Sequence, residues 1–406
     1  MKNMKNMFSA LTAAAMLVSG MAVMPATAAD ELMCGSLYYE NKGDYIIITD
    51  CEESVTTVEI PAEIDGLPVT FVDAYAFEYC ENLASITVAA GNTSYCSVDG
   101  VLFSADKTVL VEYPTAKEGT SYTIPAGVTE LGDHCFSNSI LENIVIPDGV
   151  TMIGRSAFND CAKLTALSLP EGVTSIGSDA FSFCYALADI NIPSTVTTID
   201  GWAFCYCTSL TEIVLPNSVT SLDTAVFQGC RGLTSITIPE SITSLSFLMF
   251  TNCSNLTELH LPSTITYISG KIFADCDSVT DVYYDGLQSD WEAISIDADN
   301  EILFGCNIHF SDGSVLPGSS PAVPEGVGDL SGDAKVDAND AAIVLVGSAA
   351  VGAGMPSGLT AEQETAGDVN ADGTFNAIDA ALILQYGVLA GTSSGLTFED
   401  FLKQFA

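Results

Sequence analysis

The chain has 406 residues, of which 48% are hydrophobic, too apolar a composition for general disorder. Its 52 acidic residues stand against 11 basic ones, a formal charge of −41. Such a surface lacks the basic footprint by which proteins hold nucleic acid or anionic lipid, and it attracts divalent cations.

The first residues read as a secretory leader. Lys2 and Lys5 give a basic start, Phe8 to Val23 is apolar, and Ala26, Thr27 and Ala28 are small. This is the three-part layout of a signal peptide, too short and wrongly flanked for a spanning helix. Residues 1–29 are therefore expected to be removed after Ala28 or Ala29. No later segment has the ~18 uninterrupted apolar residues that a membrane helix needs, so a soluble, secreted product without a membrane partner is expected.

A 23-residue repeat fills the middle. Phe158, Phe181, Phe204, Phe227, Phe250 and Phe273 keep that period, and so do Pro147, Pro170, Pro193, Pro216, Pro239 and Pro262. In one unit Leu164, Leu167 and Leu169 precede Pro170, then Val173 and Ile176, then Ala180, Phe181 and Cys184. Alternation before the proline predicts a strand with every second side chain turned inward. The Val-x-x-Ile pair predicts a second inward-facing run, and Ala-Phe closes the coil. One coil cannot bury both sides of its apolar layer, so coils must stack on a shared core.

Upstream, Val58 to Phe77 is a first turn. Residues of about 88–120 interrupt the array, and alternation around Val101–Phe103 and Val109–Val111 after Asp99-Gly100 predicts an inserted hairpin. The array resumes at Tyr122. Trp291 to Phe310 reads as a closing cap, which exposed solenoid ends require.

Cys80, Cys161, Cys184, Cys207, Cys230, Cys253 and Cys276 each follow a repeat phenylalanine by three residues. Stacked coils set equivalent residues about 4.8 Å apart with side chains parallel, a poor geometry for disulfides. The column is expected to be buried thiols acting as small hydrophobes. Cys34 and Cys51 either staple the N-terminal cap or stay free, Cys205 and Cys207 do not have zinc-pair spacing, and Cys96, Cys135 and Cys306 have no assignment.

Two outward columns run Asn143, Ala166, Asp189, Glu212, Ser235, Glu258, Asp281 and Val145, Ser168, Asn191, Val214, Thr237, His260, Tyr283. Asp189 and Glu212 would lie near the ~5 Å carboxylate separation of a retaining glycosidase. With no aromatic cleft around them, two solvated acids are the expectation. His134, His260 and His309 are expected on different parts of the array, and no catalytic residues are assigned.

The motif Leu-Thr-x-Ile-x-Ile-Pro-x-Ser-Val-Thr-x-Ile-Gly-x-x-Ala-Phe-x-x-Cys resembles the bacterial BspA-like leucine-rich repeats over roughly Val55 to Phe310. The resemblance implies a mainly β solenoid of parallel strands, over residues 30–310, in a surface or secreted protein of adhesion and binding.

A Pro/Ser/Gly-rich stretch, 311–325, precedes a change of composition. Two segments then place oxygen-bearing side chains at loop positions 1, 3, 5, 9 and 12, with a backbone carbonyl at 7. Hard Ca²⁺ collects six or seven oxygens from such an EF-hand-type loop. The first ion is expected on Asp329, Ser331, Asp333, Asp337, Asp340 and the Lys335 carbonyl. The second is expected on Asp368, Asn370, Asp372, Asn376, Asp379 and the Thr374 carbonyl. Position 12 opens a helix in each, where the dipole favours an acid. Ala334 stands where position 6 usually has Gly, which should weaken loop one.

This duplicated pattern, over Gly326 to about Leu389 of a domain spanning residues 326–406, resembles the dockerin of cellulosomes. The resemblance implies a small all-α domain that two Ca²⁺ ions order and that binds a cohesin module of a scaffoldin. It also implies that positions 10 and 11 help choose the partner: Ala338 and Asn339, and Ala377 and Ile378. The loops start 39 residues apart, longer than is usual. The expectation is thus a non-catalytic, monomeric, cellulosome-associated protein whose solenoid binds a protein or polysaccharide. Alternatives are a cryptic carbohydrate-active enzyme and an adhesin with a structural calcium tail.

Overall fold

The computed structural model describes residues 32–297, 299–300, 302–318, 330, 338–352, 359, 367, 369, 379–383 and 386. The expected leader and most of the stretch from 319 to 337 lie outside the described residues. The chain divides into two compact units. The first runs to Asn300 and takes in His309–Ser314; the second takes Glu301–Ile308 and the chain from Val315 onward.

The first unit is a parallel β-solenoid. Before the prolines, the strands Ser121–Thr123, Asn143–Val145, Ala166–Ser168 and Asp189–Asn191 stack in one sheet. Ser235–Thr237, Glu258–Leu261 and Asp281–Tyr284 continue it after a break. The register is one coil per rung: Ala166 faces Asp189, and Glu258 faces Asp281. The Val-x-x-Ile runs build a second ladder, in which Leu131, Ile153, Ile176, Ile199 and Leu222 succeed one another.

A third cross-coil ladder runs through the Ala-Phe turns. The amides of Phe158, Phe181 and Phe204 donate to the carbonyls of Ala180, Ala203 and Val226 in the next coil. To aim alternate amides along the stack, residues two before and two after each phenylalanine take positive φ. Asp179 (+57°), Phe183 (+62°), Trp202 (+58°) and Tyr206 (+57°) are examples. Side chains other than Asn and Asp rarely adopt that region, so the bond to the next coil outweighs local preference.

The core is one column of each residue type. The phenylalanines stack nearly parallel, 5.1–5.4 Å apart from Phe136 to Phe204 and 5.8–5.9 Å apart from Phe204 to Phe273. Each is buried, and burial of such a side chain contributes about 1.5–3 kcal/mol. At the far end, buried Asn300 takes the place of a further coil. Its Oδ1 accepts the Ile272 amide at 3.1 Å and its Nδ2 donates to the Ser269 carbonyl at 2.8 Å. Trp291 packs edge-on against Tyr284 at 5.5 Å.

At the near end, Leu37–Asn41 and Ile46–Cys51 pair antiparallel, and the latter runs parallel to Leu67–Val72. The interruption in the array is a three-stranded antiparallel meander of Tyr95–Val98, Val101–Ser104 and Val109–Glu112. Its last strand rejoins the second ladder beside Glu130–Leu131.

In the second unit the helix Ala338–Gly352 is followed by helical residues 379–383. Leu330, Ala341, Val344, Val369, Ala380 and Ile383 form its buried apolar cluster.

Candidate calcium loops and the exposed sheet face

Asp340 and Asp379 hold equivalent places. Each is fully buried, and each Oδ1 accepts a backbone amide ten residues upstream, Leu330 at 3.0 Å and Val369 at 3.1 Å. In loop terms, position 12 is tied to position 2 in both copies. Positions 2 and 13 (Leu330 with Ala341, Val369 with Ala380) are buried in the shared cluster, which fixes the carboxylate from both sides. Asp340 also lies in the first turn of its helix, where the dipole favours negative charge.

A buried carboxylate has given up hydration and requires charged or hydrogen-bonding compensation. The loops' donors are oxygens throughout, the set hard Ca²⁺ prefers. The residues present therefore fit the ion. Asp329, Ser331, Asp333, Lys335, Asp337, Asp368, Asn370, Asp372, Thr374 and Asn376 lie outside the described residues, as do Ala377 and Ile378. Ala338 and Asn339 open the described helix.

None of the thirteen cysteines is in a disulfide, Cys34 and Cys51 included, and eleven are buried. The column has a regularity the repeat does not reveal. The thiols of Cys161, Cys184, Cys207, Cys230, Cys253 and Cys276 donate to the carbonyls of Phe136, Phe158, Phe181, Phe204, Phe227 and Phe250, over 2.7–3.2 Å. Each acceptor belongs to the preceding coil. Cys135 takes the alanine position before Phe136, and Ser139 occupies the thiol column there.

On the sheet face, Asp189 and Glu212 are both open to water. Glu212 falls in the stretch where the first sheet is interrupted, so no strand register sets the pair one rung apart. The histidine expectation is corrected. His260 and His309 lie on either side of Tyr283, with ring centroids 4.6 and 4.5 Å away and planes within 9° and 13°. His309 Nε2 lies 2.7 Å from Asp281 Oδ1, and His260 faces Glu258 at 3.8 Å. His134 alone is remote from these two, packed on Tyr75 at 4.3 Å. Equivalent strand positions placed His260 and Tyr283 together, whereas His309 follows the irregular cap and no repeat position could locate it.

Residues 115–211 and 174–291 match the BspA type Leucine rich repeat region, in six copies, and residues 327–386 match the Dockerin type I domain. This chain is a dockerin-bearing BspA-type leucine-rich repeat protein.

Among solved structures, the dockerin-bearing repeat protein is similar to the pneumococcal vaccine antigen PcpA, at 26% identity and a TM-score of 0.43, covering 63% of this chain and 58% of that one. It is also similar to a leucine-rich repeat protein from Eubacterium ventriosum, at 26% identity and TM-score 0.30, covering 56% of this chain and 48% of that one. A leucine rich cell surface protein from Faecalibacterium prausnitzii shares 22% identity at TM-score 0.34, with coverage of 69% and 100%. The chain thus spans less than two thirds of the first two relatives' length. No curated protein matches it.

Dockerin type I domains bind calcium, and dockerins bind cohesin modules of scaffoldins. The family models thus find two kinds of module in the chain, a leucine-rich repeat and a dockerin. Among the described residues no helix is long and apolar enough to cross a membrane.

Proposed function

We propose that this chain is a secreted, non-catalytic subunit of a cellulosome-type assembly. Its dockerin, residues 326–406, anchors it to a scaffoldin cohesin. Its solenoid, residues 30–310 after removal of the 1–29 leader, presents the exposed sheet face to a protein or polysaccharide. The 311–325 linker separates the two tasks. The observation that carries the reading is the repeated tie between Asp340 and Leu330 and between Asp379 and Val369. Two copies of one loop closure, packed on one apolar cluster, are what a duplicated calcium-ordered domain requires.

Two Ca²⁺ ions would be held by the carboxylates of Asp329, Asp333, Asp337 and Asp340 in one loop and of Asp368, Asp372 and Asp379 in the other. Ser331, Asn370 and Asn376 add neutral oxygens, and Lys335 and Thr374 add carbonyls. The ions supply charge neutralisation, and folding energy where loops cannot close without them. The helices that follow then carry Ala338, Asn339, Ala377 and Ile378 toward the cohesin.

The test is capture of the full chain on a panel of immobilised cohesins in calcium and in EGTA. Calcium-dependent capture by at least one cohesin is expected. Full calcium uptake with no capture by any cohesin would sink the anchoring role.

A further inference from the structure

The coil stack has a seam near its N-terminal end. The strand Leu67–Val72 belongs to the N-terminal sheet, whereas Val109–Glu112 starts the second ladder, and no strand pairing joins them among the described residues. The Val72 amide donates instead to the Tyr95 hydroxyl at 2.9 Å. Between these two edges lies a cavity of about 250 Å³. Phe71, Phe77 and Val111 give it apolar walls, and Asp73, Glu112, Glu130 and Asp133 line it with acids.

Glu112 is only 8% exposed, and no hydrogen bond or ion pair reaches its carboxyl among the described residues. Elsewhere in this molecule buried polar side chains such as Asn300 and Asp340 are engaged. The side chain has no protein partner among the described residues to offset its lost hydration, and burial pushes the carboxyl's pKa well above the usual range. The nearby histidine does not complement it. Both ring nitrogens of His134 are buried without a partner, and burial lowers that imidazole's pKa, which disfavours its charged form. The cavity therefore combines a short apolar passage, an unpaired carboxyl within it and further acids along its walls. Anions are repelled there, while a cation on a methylene stem meets both of its needs.

We propose that this seam is a binding site for a primary alkylammonium ion, with Glu112 as the carboxylate that pairs it. The apolar walls take the methylene stem and Glu112 takes the charged head. Asp73, Glu130 and Asp133 draw the cation in. On binding, any proton that Glu112 carries passes to the buffer as the carboxylate–ammonium pair forms.

The test is titration calorimetry of the full chain at saturating calcium with n-butylammonium chloride, 1-butanol and Nα-acetyl-lysine amide. Binding of n-butylammonium but not butanol is expected, with proton release visible as heats that scale with buffer ionisation enthalpy. Glu112→Gln, which keeps the shape of the side chain, should weaken binding about thirtyfold or more and abolish the proton release. Asp73→Asn should weaken it less. Tighter binding of the lysine amide would identify the source as a partner's side chain and supports the same chemistry. Equal binding by the parent protein and Glu112→Gln, or no heat with either amine, overturns the proposal.

Discussion

The Asp340 carboxylate closes its loop on the Leu330 amide at 3.0 Å, and Asp379 repeats the closure on Val369. On the proposed calcium reading each acid would have two tasks, holding backbone and presenting charge to an ion, and two substitutions separate them. Asp379→Asn keeps an oxygen for the amide but loses the charge, so calorimetry should lose one calcium-binding event while the amide bond persists. Asp379→Ala removes both. The unpaired buried amide then costs a further 1–3 kcal/mol or about that, seen as a lower melting temperature of the second unit in EGTA. Equal melting of the two variants without calcium would refute the amide's role.

The thiol column predicts a pattern of reactivity. A thiolate is the nucleophile, and burial pushes the Cys205 thiol up to about 11 and holds Cys135, Cys161, Cys207 and Cys253 well above their ordinary range. Cys34 is exposed and Cys96 partly so. Under native conditions a chromogenic disulfide should modify Cys34 quickly, Cys96 slowly and the remaining eleven only after denaturant is added. Fast labelling of several thiols in the native protein would show that the coils open.

The periodic part of the molecule was legible because burial imposes a single residue type at each inward position. Phe158 through Phe273 and the thiols behind them could be placed from spacing alone. The third ladder was not legible. Its bonds are made by backbone, and the residues forced to positive φ, from Asp179 to Trp202, share no side-chain type. His309 and Asn300 escaped for a related reason, since both lie in the cap, beyond the last regular coil. Glu112 left a faint signal as the one acid ending the apolar run Val109-Leu110-Val111, but its isolation depends on the seam. The loop acids are expected from oxygen spacing, whereas the tie from Asp340 to an amide required coordinates.

Gly229 should prove intolerant of substitution. Its φ is +73°, and an added Cβ would lie 2.7 Å from the Tyr206 ring. Tyr206 in turn stacks on Phe183 at 5.5 Å, so the glycine makes room for the ring at the end of a short aromatic row. Gly229→Ala should cost about 1–2 kcal/mol from the left-handed backbone and more from the displaced ring. In a Tyr206→Ala background the same change should cost less by about 1 kcal/mol, the coupling expected of residues in contact. Additive effects in urea denaturation would mean that the ring does not constrain the site.

Glu112 gives a pH dependence of defined sign. Its folded pKa is raised by burial, while in the unfolded chain it titrates near 4.3, approximately the free value. Between those two values the folded protein holds a proton that the unfolded chain has lost. Unfolding then releases a proton, so stability falls as pH rises, by up to about 1.4 kcal/mol per pH unit, until the folded value is passed. The contribution is fully present below about pH 4. Glu112→Gln abolishes the titration, so the variant should match the parent in acid and exceed it in stability toward neutral pH. Cys80 and Cys135 lie within electrostatic reach of Glu112, Asp73, Tyr95, Glu130 and Asp133 line the seam, and His134 lies next to Asp133 in the chain, but both proteins carry these groups. His134, with its pKa lowered, acts in the opposite direction: its contribution is present above about 6.5 and lost as pH falls. The difference between parent and variant melting temperatures across pH removes that background and isolates Glu112. A difference that stays flat from pH 4 to 8, or about that span, would show that the carboxyl is ionised and hydrated in the folded protein, and that water fills the seam.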